Sequence, residues 1–87
     1  IIKAEDTIYV IEVKAITRPI TEEMIEKLVK VVEKLKEKFP KVGGILIQLG
    51  TGEITLPAVA RAIKNGIIII TKQGVRLLAK KLDYPIP

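Results

Sequence analysis

The sequence contains no cysteine and no histidine. Disulfides, zinc sites built from those two residues, and any mechanism with a histidine base or a thiolate nucleophile are therefore excluded. A bound metal would have to be a hard cation held by carboxylates, carbonyls and water. Aromatic residues make up only 3% of the chain, so isoleucine, valine and leucine must fill the core. No run approaches the ~18 apolar residues of a membrane span, and no signal peptide is visible. The expectation is a soluble, cytoplasmic protein without membrane partners.

What is present is a chain of 87 residues, 48% hydrophobic, which suffices for one α/β domain over residues 1–87. Its net charge of +5 suits a polyanionic partner. Much of that charge lies on one helix, mixed with glutamates, and mixed charge of this kind is usually a solvated face. Isoleucine-rich strands and Lys/Glu-rich helices point to a thermophilic source. The chain opens Ile1-Ile2-Lys3 without an initiator Met and already looks like strand. A fragment or processed product of a larger domain is therefore expected.

Ile1 to Ala4 is a short apolar start, and Glu5-Asp6 supply a turn. Thr7 to Ile16 is rich in β-branched residues and reads as a strand, forming an antiparallel hairpin with the start. Period-2 alternation places Ile8, Val10, Glu12, Lys14 and Ile16 on one face, and Tyr9, Ile11, Val13 and Ala15 on the other. After Thr17-Arg18-Pro19, Thr21 is a suitable N-cap for a helix from Glu22 to Phe39. Ile25, Leu28, Val32, Leu35 and Phe39 recur there at helical spacing, and Pro40 with Gly43-Gly44 is read as its stop.

Ile45 to Leu49 is a continuous apolar strand. A second helix, Leu56 to Lys64, is signalled by Thr55 as N-cap, Pro57 in its first turn and Asn65-Gly66 at its end. Ile67 to Ile70 reads as a strand buried on both faces, and a third helix is expected from Gly74 to Leu82, before Asp83-Tyr84-Pro85. The order β-β-α-β-α-β-α predicts an α/β fold with a mixed sheet. An apolar open edge at Ile1 to Ala4 predicts a homo-oligomer paired through it.

Glu12 and Lys14 carry the chemistry. Two positions apart on a strand, their side chains point the same way and can converge on one spot. A carboxylate on a divalent metal beside an ammonium on a phosphate oxygen or water is what metal-assisted phosphodiester cleavage requires. The plain alternative is a same-face ion pair, and about one acid-x-Lys tripeptide is expected by chance at this composition. The context adds weight, because a charged pair inside a sheet is costly.

YVIEVKA, the helix after it, and GGILIQLGTGEITLPAVARAIKNGIIIIT resemble the second half of the PD-(D/E)xK, or restriction-endonuclease-like, nuclease superfamily. That superfamily includes archaeal Holliday-junction resolvases, RecB-type nuclease domains and Mrr-like restriction enzymes. The resemblance covers nearly the whole chain through short motifs. It implies a restriction-endonuclease-like core lacking its N-terminal elements, a Mg²⁺ or Mn²⁺ cofactor, and DNA as partner. It implies Glu12 as a metal ligand, Lys14 as the catalytic lysine and the Val13 carbonyl as a further ligand. The family's first aspartate would fall at or before Ile1, leaving Asp6, in the turn, as a substitute. Such a chain is not expected to be a competent nuclease alone, and a non-catalytic protein- or nucleic-acid-binding module on the same scaffold is the alternative.

Other candidates remain. Gly50, Thr51 and Gly52 precede a helix and can offer amides to an anion, or form a plain turn. Lys27, Lys30, Lys34 and Lys41 can contact a nucleic-acid backbone or serve as solubility charge. Gln48, at the end of its strand, can join them or be a strand-end polar residue. Thr71-Lys72-Gln73 can line a groove or simply connect.

Overall fold

The computed structural model describes residues 2–4 and 7–74. The Glu5-Asp6 turn, and the third helix beyond Gly74 with the Asp83-Tyr84-Pro85 end, lie outside the described residues. The elements are β1 (Ile2–Ala4), β2 (Thr7–Lys14), α1 (Glu22–Lys36), β3 (Lys41–Gln48), α2 (Leu56–Lys64) and β4 (Ile67–Thr71). The strands form one sheet in the order β1-β2-β3-β4, with β1 antiparallel to β2 and the other pairs parallel. The expected α/β class and hairpin start are thus present.

Both helices share one face of the sheet. Ile25, Leu28, Val29 and Val32 of α1 and Ala58 and Ala62 of α2 bury against Leu46 and Ile67. Ile20 lies fully buried in the same cluster, in the segment joining β2 to α1. Each such large side chain contributes roughly 1.5–3 kcal/mol when buried. Strand alternation turns Tyr9, Ile11, Val13, Ile45, Ile47 and Ile68 to the other face, where Val13 and Ile68 are exposed. α2 meets the core through its small alanines and turns Leu56 and Ile63 outward.

Several boundaries shift from the sequence expectation. β2 ends at Lys14 rather than Ile16, and α1 ends at Lys36, leaving Phe39 half-exposed. Gly43-Gly44 is not a helix stop but the middle of β3, which begins at Lys41 rather than Ile45. The reason is tertiary. Gly44 lies beneath α1, and a Cβ there would meet the side chains of Ile67, Val32 and Leu28. A glycine lets helix and sheet approach. β4 is the outermost of the described strands rather than one buried on both faces: Ile67 is buried, whereas Ile68 is exposed.

α2 matches its sequence signals residue for residue. Thr55 accepts a hydrogen bond from the Ala58 amide, and Pro57 occupies the first turn. Thr21 stands at the N-cap of α1 with extended φ and ψ but makes no side-chain cap bond; its carbonyl accepts from the Met24 amide instead. No described helix is long and apolar enough to cross a membrane.

Candidate functional site

Beyond β2 and β3 the two chains stay paired. The Leu49 amide donates to the Lys14 carbonyl at 2.7 Å, and the Ile20 amide donates to the Glu53 carbonyl at 2.8 Å. A parallel bridge between Ile20 and Ile54 closes this extension. The segment after β2, residues 15–20, is therefore held against the segment after β3, residues 49–54. The parallel strands thus end at one built edge, and the candidate site lies beside it.

Glu12 and Lys14 share the face of β2 that looks toward α1. Lys14 Nζ stands 3.2 Å from Glu12 Oε1, with Lys14 29% and Glu12 47% exposed. Both line a cavity of about 360 Å³ between β2 and α1. Arg18, from the loop after β2, and Lys27, from α1, line it as well, over an apolar wall that includes Met24, Leu28 and Val31. Neither Arg18 nor Lys27 forms an ion pair among the described residues, although Glu23 lies one helical turn before Lys27.

The Val13 side chain points to the opposite face and is 57% exposed. Carbonyls alternate sides along a strand, and that of Lys14 faces β3, so that of Val13 faces the β1 side. The pairing of β1 with β2 runs only from Thr7 to Tyr9. No described strand residue lies across from the Val13 carbonyl, so among the described residues β2 is itself an open edge over residues 11–14. The edge expected at Ile1 to Ala4 thus extends along β2, with β1 still outermost among the described strands. Asp6 lies outside the described residues.

Of the other candidates, the structure brings one lysine to this place and separates the rest. Lys27 joins Glu12 and Lys14 at the cavity. Lys30 and Lys34 line a different depression on α1, together with Glu33 and Glu37. Lys41 starts β3 opposite Thr7, at the far end of the sheet. Seven steps of ~3.3 Å put it roughly 23 Å along the strand from Gln48. Thr71 ends β4, and Lys72 and Gln73 follow exposed.

Gln48 is not a surface contact residue. It is only 2% exposed, and both ends of its amide are engaged. Its Oε1 accepts from the Ile16 amide at 3.3 Å and the Gly50 amide at 3.0 Å. Its Nε2 donates to the carbonyls of Ile16 and Gly52, each at 3.2 Å. A buried primary amide has two donor hydrogens and two good acceptor directions, and here all are used. Gln48 thus ties the loop after β3 to the segment after β2.

The same arrangement corrects the reading of Gly50, Thr51 and Gly52 as an anion loop. The Gly50 amide is taken by Gln48, and the Gly52 amide donates to the Ile16 carbonyl at 3.0 Å. Two of the three amides are therefore spent inside the protein, and exposed Thr51 alone makes no nest. The glycines serve close approach: a Cβ on Gly50 would collide with the backbone of Ile16, and one on Gly52 with the Arg18 carbonyl. The consequence is positional, because the loop fixes the backbone that carries Arg18 toward the cavity. Sequence reasoning missed Arg18, whose only signal was its place in Thr17-Arg18-Pro19, directly after the acid-x-Lys strand.

Among the described residues no three acidic side chains converge on one point. Glu12 is the single carboxylate that lines the cavity among those residues. Mg²⁺ commonly binds through one or two carboxylates, several waters and substrate phosphates, so the donor set fits a hard cation in this minimal form. No family model, no curated protein and no solved structure matches the chain.

Proposed function

We propose that the chain is part of a metal-dependent DNA nuclease, with the site at Glu12 and Lys14. The observation that carries the reading is their placement. A carboxylate and an ammonium share one face at the C-terminal end of β2, 3.2 Å apart, and open onto a cavity that also receives Arg18 and Lys27. The hairpin, followed by parallel β-α-β units, supports a restriction-endonuclease-like core.

Glu12 and the Val13 carbonyl would hold Mg²⁺ or Mn²⁺. When bound, such an ion supplies charge neutralisation on the phosphoryl oxygens and a more acidic water. Lys14 would orient the nucleophile and offset negative charge as it develops on the phosphate, a type of contact whose removal costs roughly 10²–10³-fold in rate. In the resting state the ion pair with Glu12 holds the Lys14 ammonium at this spot. From there the ammonium can also reach a phosphate oxygen bound in the cavity.

The test is nicking of supercoiled DNA by the gene product, including whatever is encoded ahead of Ile1, with Mg²⁺ or Mn²⁺. Glu12→Ala and Lys14→Ala should each remove cleavage while leaving the fold intact; cleavage undiminished in both would place the chemistry elsewhere.

A second reading is favoured by one observation, that among the described residues Glu12 stands alone as a carboxylate at the cavity. On this reading the scaffold is a non-catalytic binding module, since a fold does not fix a function. DNA binding without cleavage, under every divalent metal tried, would select it. Self-association through the open edge formed by β1 and by residues 11–14 of β2 belongs to either reading.

A further inference from the structure

We infer that the cavity between β2 and α1 is a nucleotide-binding site in which Arg18 and Lys27 hold the phosphate. It stands apart from the cleavage reading, because it requires neither a metal nor bond breaking. Among the described residues, three cationic side chains, Lys14, Arg18 and Lys27, meet there with one carboxylate. The Lys14 charge is matched by Glu12, which leaves the guanidinium and the second ammonium without an ion pair among the described residues. Outside the cavity, Lys36 pairs with Glu33 and Arg61 with Glu22 and Glu26, whereas Lys30, Lys34, Lys38, Lys64 and Lys72 stand exposed without an ion pair among the described residues. What sets Arg18 and Lys27 apart is that they share one cavity with Lys14. Two like charges gathered without a counter-charge repel each other, and an anion between them removes that cost.

The rest of the cavity indicates what the phosphate is attached to. Met24, Leu28 and Val31 give it an apolar wall on α1, and Val10 gives one on β2. A volume of about 360 Å³ falls at the lower end of the roughly 300–1,000 Å³ typical of small-molecule sites. A lone inorganic anion would leave the apolar wall wet, whereas a nucleoside phosphate covers it. Met24 suits a flat base, because its thioether adapts to irregular contacts and is polarizable. No aromatic side chain among the described residues lines the cavity, so recognition is led by phosphate and is weakly selective for the base. The Arg18 backbone is braced by Gly52 and, through it, by Gln48, so the guanidinium projects from a fixed loop.

The geometry serves a free nucleotide and the phosphorylated unit of a single strand alike, and affinity separates the two. The experiment titrates the full chain, without divalent metal, with inorganic phosphate, with 5′-dTMP and with a short oligo-dT, following NMR signals. 5′-dTMP should move the Arg18 side-chain Nε–H together with the Met24 and Leu28 methyls, and inorganic phosphate should move the first without the second. Arg18→Gln and Lys27→Gln should each weaken 5′-dTMP about tenfold, the size expected for one charge-assisted contact.

Equal affinity for 5′-dTMP and oligo-dT assigns the site to free nucleotides. Tighter binding of oligo-dT, with a salt slope reduced by about 0.7 in Lys27→Gln, assigns it to a strand. Glu12→Gln should strengthen metal-free binding, because it removes the one negative charge and frees Lys14, although the same change should abolish cleavage. The two readings can therefore fail separately. Shifts confined to other surfaces, or unchanged affinity in a folded Arg18→Gln/Lys27→Gln double variant, would overturn the inference.

Discussion

Replacing Gln48 with Leu removes a side chain of similar size whose every polar atom is engaged. The Ile16 and Gly50 amides and the Gly52 carbonyl would lose their Gln48 partner in a partly buried place. The Ile16 carbonyl would keep the Gly52 amide at 3.0 Å. Each buried polar group left unmade costs about 1–3 kcal/mol. Some water reaches this loop, and Leu gains apolar burial, so the net loss should be about 2–4 kcal/mol. For a domain of this size that corresponds to a fall in Tm of roughly 10–20 °C. Urea and thermal unfolding followed by circular dichroism would measure it.

Gln48→Glu separates shape from hydrogen bonding. It keeps the outline and both acceptor positions, but sets a carboxylate oxygen against the carbonyls of Ile16 and Gly52. It should be at least as damaging as Leu, since a buried charge facing acceptors is penalised further. A loss below ~0.5 kcal/mol for both variants, the range of ordinary surface changes, would refute the stapling role.

Gly52→Ala should destabilise by about 2 kcal/mol or more in the same unfolding assay, because its Cβ would strike the Arg18 carbonyl and force the loop outward. Arg61→Ala should cost no more than about 1 kcal/mol, since its contacts to Glu22 and Glu26, at 3.9 and 3.7 Å, are long and half-exposed. The double change Leu56→Lys/Ile63→Lys should alter stability by less than ~0.5 kcal/mol, as these side chains are 84% and 75% exposed. Light scattering of the unchanged chain should give a mass above the monomer, and a clean monomer at high concentration would contradict pairing through the open edge.

Legibility from sequence followed the range of the forces involved. α2 was read to the residue because its signals are local: a threonine cap, a proline in the first turn and Asn65-Gly66 at the end. The start of β3 was missed because Gly43-Gly44 carries a local stop signal that long-range packing overrides; only the structure shows the Tyr9 ring over Gly43 and α1 over Gly44. The same limit applies to the site. Period 2 along β2 sufficed to put Glu12 and Lys14 on one face, whereas Arg18 and Lys27 reach the cavity from two other elements. Gln48 reads from sequence as a strand-end polar group or a nucleic-acid contact, since nothing in its neighbours reveals that Ile16, far away in sequence, supplies half its partners.

The claim that a cation is held at Glu12 can be measured without turnover. Mn²⁺ added to the ¹⁵N-labelled gene product should broaden the amides of Glu12, Val13 and Lys14 first, and Glu12→Gln should abolish that selectivity. Broadening centred on another acidic cluster, or persisting unchanged at these residues in Glu12→Gln, would contradict the metal site and with it the nuclease reading.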